Sequence, residues 1–266
     1  MVQERFDISG RTAIVTGSSQ GIGKTIAETY ADADVDVTVC SRSPDTIAAV
    51  AERINDAENS GRAIAVECDV TDADAVEQVV DETVDAFGGV DILVNNAGGS
   101  FMVDLEELSE NGWKTIVDIN LHGAYHFTQA AGDVMRADGG GTIINISSVG
   151  GLKGAPDMAH YGAAKAGLVN FTTTTAYEWA EYDIRANCIA PGIVATAGLE
   201  SQMGITATDI DRTTAHRRAG LPIEIADACI FLVSEASSFI TGETIPIRGV
   251  PVIEVQELFP HERPDA

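Results

Sequence analysis

The sequence predicts an α/β chain, a doubly wound parallel sheet of about seven strands with helices on both faces, three αβα layers in all. Three observations carry that prediction. Short, nearly continuous apolar runs alternate with longer amphipathic ones, the pattern of strands buried on both faces and joined by crossover helices. The first strand enters the first helix through a glycine-rich turn, Gly17-Ser-Ser-Gln-Gly21-Ile-Gly23. No linker, repeat or low-complexity stretch interrupts residues 1–249, which read as one domain, with 250–266 as a Pro- and Glu-rich tail.

Composition bounds the partners. At 266 residues, 45% of them hydrophobic and 26 of them Gly, the chain can bury a substantial core and make many tight turns. Its formal charge of −25, from 41 acidic and 16 basic residues, argues against nucleic acid and anionic membrane as partners. The acidic excess is spread along the chain, as in proteins of a high-salt (halophilic) cytoplasm; an ordinary acidic enzyme is the alternative. Cys40, Cys68, Cys188 and Cys229 are widely spaced and form no C-x-x-C pair, so they read as free thiols in a reducing compartment. The first residues carry no signal-peptide pattern and no apolar run reaches membrane-span length, so a soluble, cytoplasmic protein is expected.

The first strand is Thr12–Thr16, and a helical run follows from Lys24. The glycines between them permit a tight turn and close approach of backbone to a pyrophosphate, at a helix start that offers free N–H groups. The spacing is G-x-x-x-G-x-G, not G-x-G-x-x-G. The second strand, Asp36–Cys40, ends in Ser41-Arg42, where an acidic residue would select the ribose hydroxyls of NAD. Arg42 can pair with a 2′-phosphate, and Ser41 removes the carboxylate that would repel it, so NADP(H) is favoured over NAD(H). A helix over 44–59 leads to the third strand, Arg62–Cys68, which ends in Asp69-Val70. Residues 71–87 form an acidic amphipathic helix with Val76, Val79, Val80, Val84 and Phe87 on one face.

Asp91–Asn95 is the fourth strand, followed by the small residues Asn96-Ala97-Gly98-Gly99. Ser109 is positioned to N-cap one long helix running to about Met135, with Asn120 in its middle. His122 and His126 have i, i+4 spacing but lack the Glu of H-E-x-x-H, and no metal is expected. The fifth strand, Thr142–Ile146, delivers Ser147 and Ser148. A helix through Glu178-Trp179-Ala180 carries Tyr161 and Lys165, four apart and so on one helical face. An ammonium near a phenol lowers the phenol pKa, and a Tyr so tuned can exchange a proton with a carbonyl or alcohol oxygen. Arg185–Ala190 is the sixth strand, stopped by Pro191-Gly192; residues 195–218 lack a pattern and read as a substrate lid. Pro222 and Glu224 open a helix to about Val233, and Thr244–Ile247 is an edge strand because Pro246 cannot donate to a ladder.

Together these residues resemble the short-chain dehydrogenase/reductase family from about Asp7 to Gly249. Thr16–Gly23 resembles its TGxxxGIG, Asn95–Gly98 its NNAG, Pro191-Gly192 its PG motif, and Asn120, Ser148, Tyr161 and Lys165 its catalytic tetrad. The thirteen residues from Ser148 to Tyr161 select Ser148 over Ser147. The resemblance implies a Rossmann-type fold and hydride transfer between a nicotinamide and a carbonyl or secondary alcohol. Tyr161 would be the general acid/base, Lys165 would lower its pKa and bind the nicotinamide ribose, Ser148 would orient the carbonyl, and Asn120 would hold a water that links Lys165 to solvent. It further implies cofactor contacts from Gly17, Ser19, Gln20, Gly21, Ile22, Gly23, Ser41 and Arg42. Asp69 and Val70 would flank adenine, Asn95 and Gly98 would line the adenosine-ribose side, and Ala97 would also contact the cofactor. Pro191, Gly192, Ile193 and Thr196 complete the set, the last two at the carboxamide.

A weaker similarity to 3-oxoacyl thioester reductases and peroxisomal-type enoyl-CoA reductases rests on Asn96–Phe101, Glu178–Ala180 and Arg218–Pro222. Enoyl thioester reduction and non-catalytic NADP(H) sensing stay as alternatives to carbonyl reduction. Where the family carries Asp-Gly-Gly after its last strand, this chain has Arg248-Gly249-Val250. The family's association through the helices bearing Asn120 and Tyr161 implies a homotetramer or homodimer.

Overall fold

The computed structural model describes residues 2–57, 61–197, 206–214 and 217–250. Seven strands form one parallel sheet: β1 (Thr12–Thr16), β2 (Asp36–Ser41), β3 (Ala63–Glu67), β4 (Ile92–Asn95), β5 (Gly141–Ile146), β6 (Ile184–Pro191) and β7 (Thr244–Ile247), in the order β3-β2-β1-β4-β5-β6-β7. The helices are α1 (Gly21–Asp32), α2 (Pro44–Asp56), α3 (Ala73–Phe87), α4 (Glu110–Val117), α5 (Gly123–Asp138), α6 (Ala159–Glu178) and α7 (Pro222–Val233). This is the Rossmann-type, three-layer architecture the alternation predicts. The strand order reverses between β1 and β4, so a crevice opens at their C-terminal ends.

The core explains why the strands are apolar throughout. Successive side chains point to opposite faces. Ala13 and Val15 join Val37, Val39 and Ile144 under α1, α2 and α7, where Ile26, Tyr30, Ile47, Ile54, Ile225 and Leu232 are buried. Ile14, Leu93 and Ile143 face the other way, beneath Val76, Val79, Phe127 and Met135 of α3 and α5. All four cysteines are buried and free.

The structure corrects the sequence reading in the region 109–135. In place of one helix, α4 and α5 are joined by a π turn over Asp118–His122. Its cause is Asn120, whose Nδ2 donates to Ile116 O and to Gly99 O, both at 2.8 Å. A side chain bonded to the carbonyl four residues back competes with the helical ladder, and π turns mark such places. Other boundaries move less. Helix α2 ends at Asp56, and α3 begins at Ala73 because Asp72 caps it, accepting from Asp74 N and Ala75 N. Helix α6 stops at Glu178, where Trp179 leaves the helix and stacks under the Arg136 guanidinium at 4.5 Å. In the described part of 195–218, Ala195 N donates to Gly220 O and a 3-10 turn spans Ala207–Asp209. Leu199 and Met203, which the lid reading places in this run, lie outside the described residues. β7 is an edge strand, with Pro246 paired to Ala190.

Candidate active site

The crevice is shaped by backbone that only glycine fits easily. Gly17 and Gly21 have φ of +64° and +58°. A Cβ on Gly17 would sit 2.8 Å from Ala97 Cα, so the turn after β1 lies directly against the loop after β4. Hydrogen bonds lock the two together: Thr16 Oγ1 accepts from Asn96 N and Ala97 N, and Asn96 Nδ2 donates to Thr16 O at 2.9 Å. The resulting cleft has a volume of about 390 Å³.

The structure brings to this cleft Gly17, Ser19, Gln20, Gly21 and Ile22 from the turn, Ser41 and Arg42 from β2, Asp69 and Val70 after β3, Ala97 and Gly98 after β4, and Thr196. It places other expected residues elsewhere. Gly23 is buried, with Asn96 Nδ2 only 2.3 Å from where its Cβ would be. The Asn95 side chain is 3% exposed and donates to Thr128 Oγ1 and Asn145 Oδ1, inside the protein. Pro191 is buried in β6, Gly192 N donates to Ile247 O, and Ile193 lines a separate cavity. Ser43, Cys68, Asn96, Ile119 and Ala197 line the cleft without having been singled out. The strand ends could have revealed Ser43 and Cys68. Nothing could have revealed Ile119, hidden in what reads as a continuous helix.

These walls fit a dinucleotide. The glycine turn and the start of α1 suit a pyrophosphate. Asp69 is a half-buried carboxylate held in its charged form chiefly by the Thr71 backbone N–H, against some cost of burial, with smaller contributions from the Thr71 hydroxyl and Arg42. Arg42 itself is exposed at the cleft and makes no hydrogen bond or salt bridge with a described residue. No carboxylate occupies the end of β2, where Ser41 stands.

The C-terminal end of β5 and the first turns of α6 bring together Ser148, Tyr161 and Lys165. Ser147 and Ser148 diverge. The Ser147 hydroxyl is buried and donates to Lys165 O at 2.8 Å, whereas the Ser148 hydroxyl accepts from Gly150 N at 3.1 Å and lies near enough to Tyr161 to lower its pKa. Lys165, 3% exposed, donates from Nζ to Ile146 O at 2.8 Å, and its Nζ lies 5.8 Å from the Tyr161 ring centroid. An ammonium has three donors, so two remain without an acceptor among the described residues. Burial pushes the Lys165 pKa down to about 8, with Cys188 pulling weakly the other way. A Cβ at Gly98 would meet Asn120 Oδ1 at 2.7 Å and Lys165 Nζ at 3.4 Å, so both side chains converge on this glycine.

Tyr161 departs from expectation. Its pKa is raised by burial, with the Ser148 hydrogen bond opposing, and Lys165 contributes no resolved lowering. The ammonium is engaged by a main-chain carbonyl on β5 rather than by the phenol oxygen. His122 Nδ1 pairs with Asp118 Oδ1 at 2.7 Å, while His126 Nδ1 faces Val70 O, so the two share no site. Among the described residues no group of three His, Cys, Asp or Glu side chains could hold a metal ion.

Comparison with known proteins bears on this geometry. A sequence profile described as short chain dehydrogenase matches residues 11–204. The 3-oxoacyl-[acyl-carrier-protein] reductase of Synechocystis is 38% identical over 245 residues, covering 91% of this chain and 97% of that one. An NAD-dependent glycerol dehydrogenase of Listeria innocua is 35% identical, covering 92% and 94%. A crystal structure of a candidate NAD(P)-dependent gluconate 5-dehydrogenase from Beutenbergia cavernae, with NADP bound at low occupancy, superposes with a TM-score of 0.82 at 33% identity, covering 92% of this chain and 98% of that one.

Proposed function

The chain belongs to the short-chain dehydrogenase/reductase family, whose members act on alcohol or carbonyl substrates, and from that membership we propose that it reduces a carbonyl, or oxidises a secondary alcohol, with NADP(H). The observation that carries this reading is the convergence of Ser148, Tyr161 and Lys165 at the end of β5, beside a cleft floored by the glycine turn. The nicotinamide supplies or accepts the hydride. Tyr161, a phenol and so protonated at neutral pH, donates its proton to the substrate oxygen during reduction. Ser148 gives that oxygen a second hydrogen bond, and the spare donors of Lys165 face the cofactor side.

Arg42 and Ser41 at the end of β2 support NADP(H) over NAD(H) by charge. The resemblance to 3-oxoacyl reductases supports a 3-oxoacyl thioester as one substrate class, with an enoyl thioester or a purely sensory role as the competing readings. Exposed Tyr125, Tyr177 and Phe239 on the flanks of α5, α6 and α7 support a homotetramer or homodimer. The free buried thiols, and the lack among described residues of a helix long and apolar enough to span a membrane, support a cytoplasmic setting. The dispersed acidic surface supports a high-salt one.

The test is a carbonyl panel followed by NADPH absorbance in high salt, with 3-oxoacyl-CoA and enoyl-CoA arms. Tyr161→Phe should lose roughly 10²–10⁴ of kcat, the usual contribution of a general acid, while NADPH still binds. Turnover unaffected by that substitution, or none with any carbonyl while NADPH binds, sinks the reading.

A further inference from the structure

We propose that Arg248 selects the substrate by binding an oxyanion, a carboxylate or a phosphate, carried on the substrate away from the reacting carbonyl; the proposal rests on the carbonyl-reductase reading above. Arg248 stands where the family pattern has an aspartate, and it stands at the catalytic end of the sheet. Gly192 N donates to Ile247 O at 2.9 Å, and a Cβ on Gly192 would fall 2.9 Å from Arg248 Cβ. The register runs Ile146 to Ile189 and Ile189 to Ile245, which puts Ser148 level with Ile247, one residue before Arg248. Two strand spacings of about 4.8 Å separate them, roughly 10 Å in all. An extended arginine and a substrate a few carbons long bridge that gap.

Beside Arg248 lies a cavity of about 380 Å³ walled by Ile193, Val194, Ile225 and Ile247, with Arg218 and Glu224 also in its lining. The two arginines are not equivalent. Arg218 is committed to Glu224, with Nη1 and Nη2 at 2.8 and 2.6 Å from the two carboxylate oxygens. Arg248 makes no hydrogen bond or salt bridge with any described residue. A chain with 41 acidic and 16 basic residues repels anions overall, so capture of an anionic substrate needs a local, unengaged cation. The planar fork of a guanidinium matches a carboxylate or phosphate in two parallel bonds. Largely apolar walls with an arginine that no described residue engages therefore fit a substrate with a short hydrocarbon body and an anionic end.

The experiment uses the intact chain with NADPH and matched probes. These are straight-chain oxo acids with the ketone at carbons two to five, their methyl esters, and oxo phosphates with their dephosphorylated ketones. We expect wild type to favour one charged set over its neutral counterpart, and the favoured set identifies the oxyanion. Arg248→Gln should cut that charged-over-neutral preference roughly 10- to 100-fold, mostly through KM, the scale of a charge-assisted bidentate contact. Arg248→Lys should restore part of it, and an unchanged thermal midpoint and NADPH affinity exclude misfolding. Equal turnover of charged and neutral probes by wild type, or an undiminished preference in Arg248→Gln, overturns the assignment while leaving carbonyl reduction intact. No turnover of any probe with either nicotinamide overturns the functional reading, and this assignment with it.

Discussion

Replacing Lys165 with Met should remove a gain in stability that the wild type makes as pH rises from about 8 to 10.5, while abolishing its chemistry. The ammonium is 3% exposed and its pKa falls from an ordinary 10.5 to about 8 because burial penalises the charge. A lysine whose folded pKa is depressed leaves the unfolded chain holding more protons between about pH 8 and 10.5, so wild-type stability rises with pH across that window. The gap of about 2.5 units corresponds to about 3 kcal/mol. Below pH 8 the full penalty is present. Met removes it, but leaves Ile146 O without its donor, at a cost of about 1–3 kcal/mol. The two changes nearly cancel near neutrality, so the pH slope is the decisive readout. Urea unfolding of wild type and Lys165→Met at pH 7.5, 9 and 10.5 should show the wild type gaining about 3 kcal/mol on the variant. Groups that titrate alike in both proteins drop out of the difference. Parallel stability curves would refute the claim that burial of this ammonium is a cost the fold carries for function.

Two further outcomes follow from the geometry. Arg42→Ala should weaken NADPH binding by roughly 10-fold or more and leave NADH binding nearly unchanged, measured as dissociation constants by fluorescence; tighter NADH than NADPH binding by wild type refutes the charge reading at β2. Asn145→Ala removes two buried side-chain bonds, from Asn95 Nδ2 at 2.9 Å and to Thr172 Oγ1 at 2.8 Å. It should cost about 2–4 kcal/mol, and a double-mutant cycle with Thr172→Val should give a coupling of about 1 kcal/mol. A cycle that closes additively would show that the network does not act as a unit.

The sheet was legible because burial on both faces demands apolar strands, and Thr12–Thr16 or Thr142–Ile146 can hardly be read otherwise. The two serines were separable for a different reason. Spacing to Tyr161 points to Ser148, and the fold gives the Ser147 hydroxyl to Lys165 O. The π turn was not legible. Ile116, Ile119 and Phe127 keep an approximately helical rhythm across it, and the signal lay in one side chain, Asn120, whose partner Gly99 is distant in sequence. Asn95 and Asn96 show the same limit. Adjacent and chemically identical, one is turned inward to Thr128 and Asn145 and the other lines the cleft, a difference set by strand alternation at the end of β4. The Tyr161 pKa was misjudged because sequence shows that Lys165 is near but not which acceptor already holds it.

Lys165 is tied to β5 at both of its ends. Its side chain reaches Ile146 O, and its main-chain carbonyl receives the Ser147 hydroxyl. Fastenings on the last strand residue, Ile146, and on Ser147 just after it resist rotation as well as separation, so α6 and the end of β5 behave mechanically as one piece. Any motion that admits substrate or releases product would have to break both bonds to open this side. Tyr161 and Ser148 stay in fixed relation to each other whether the site is open or closed.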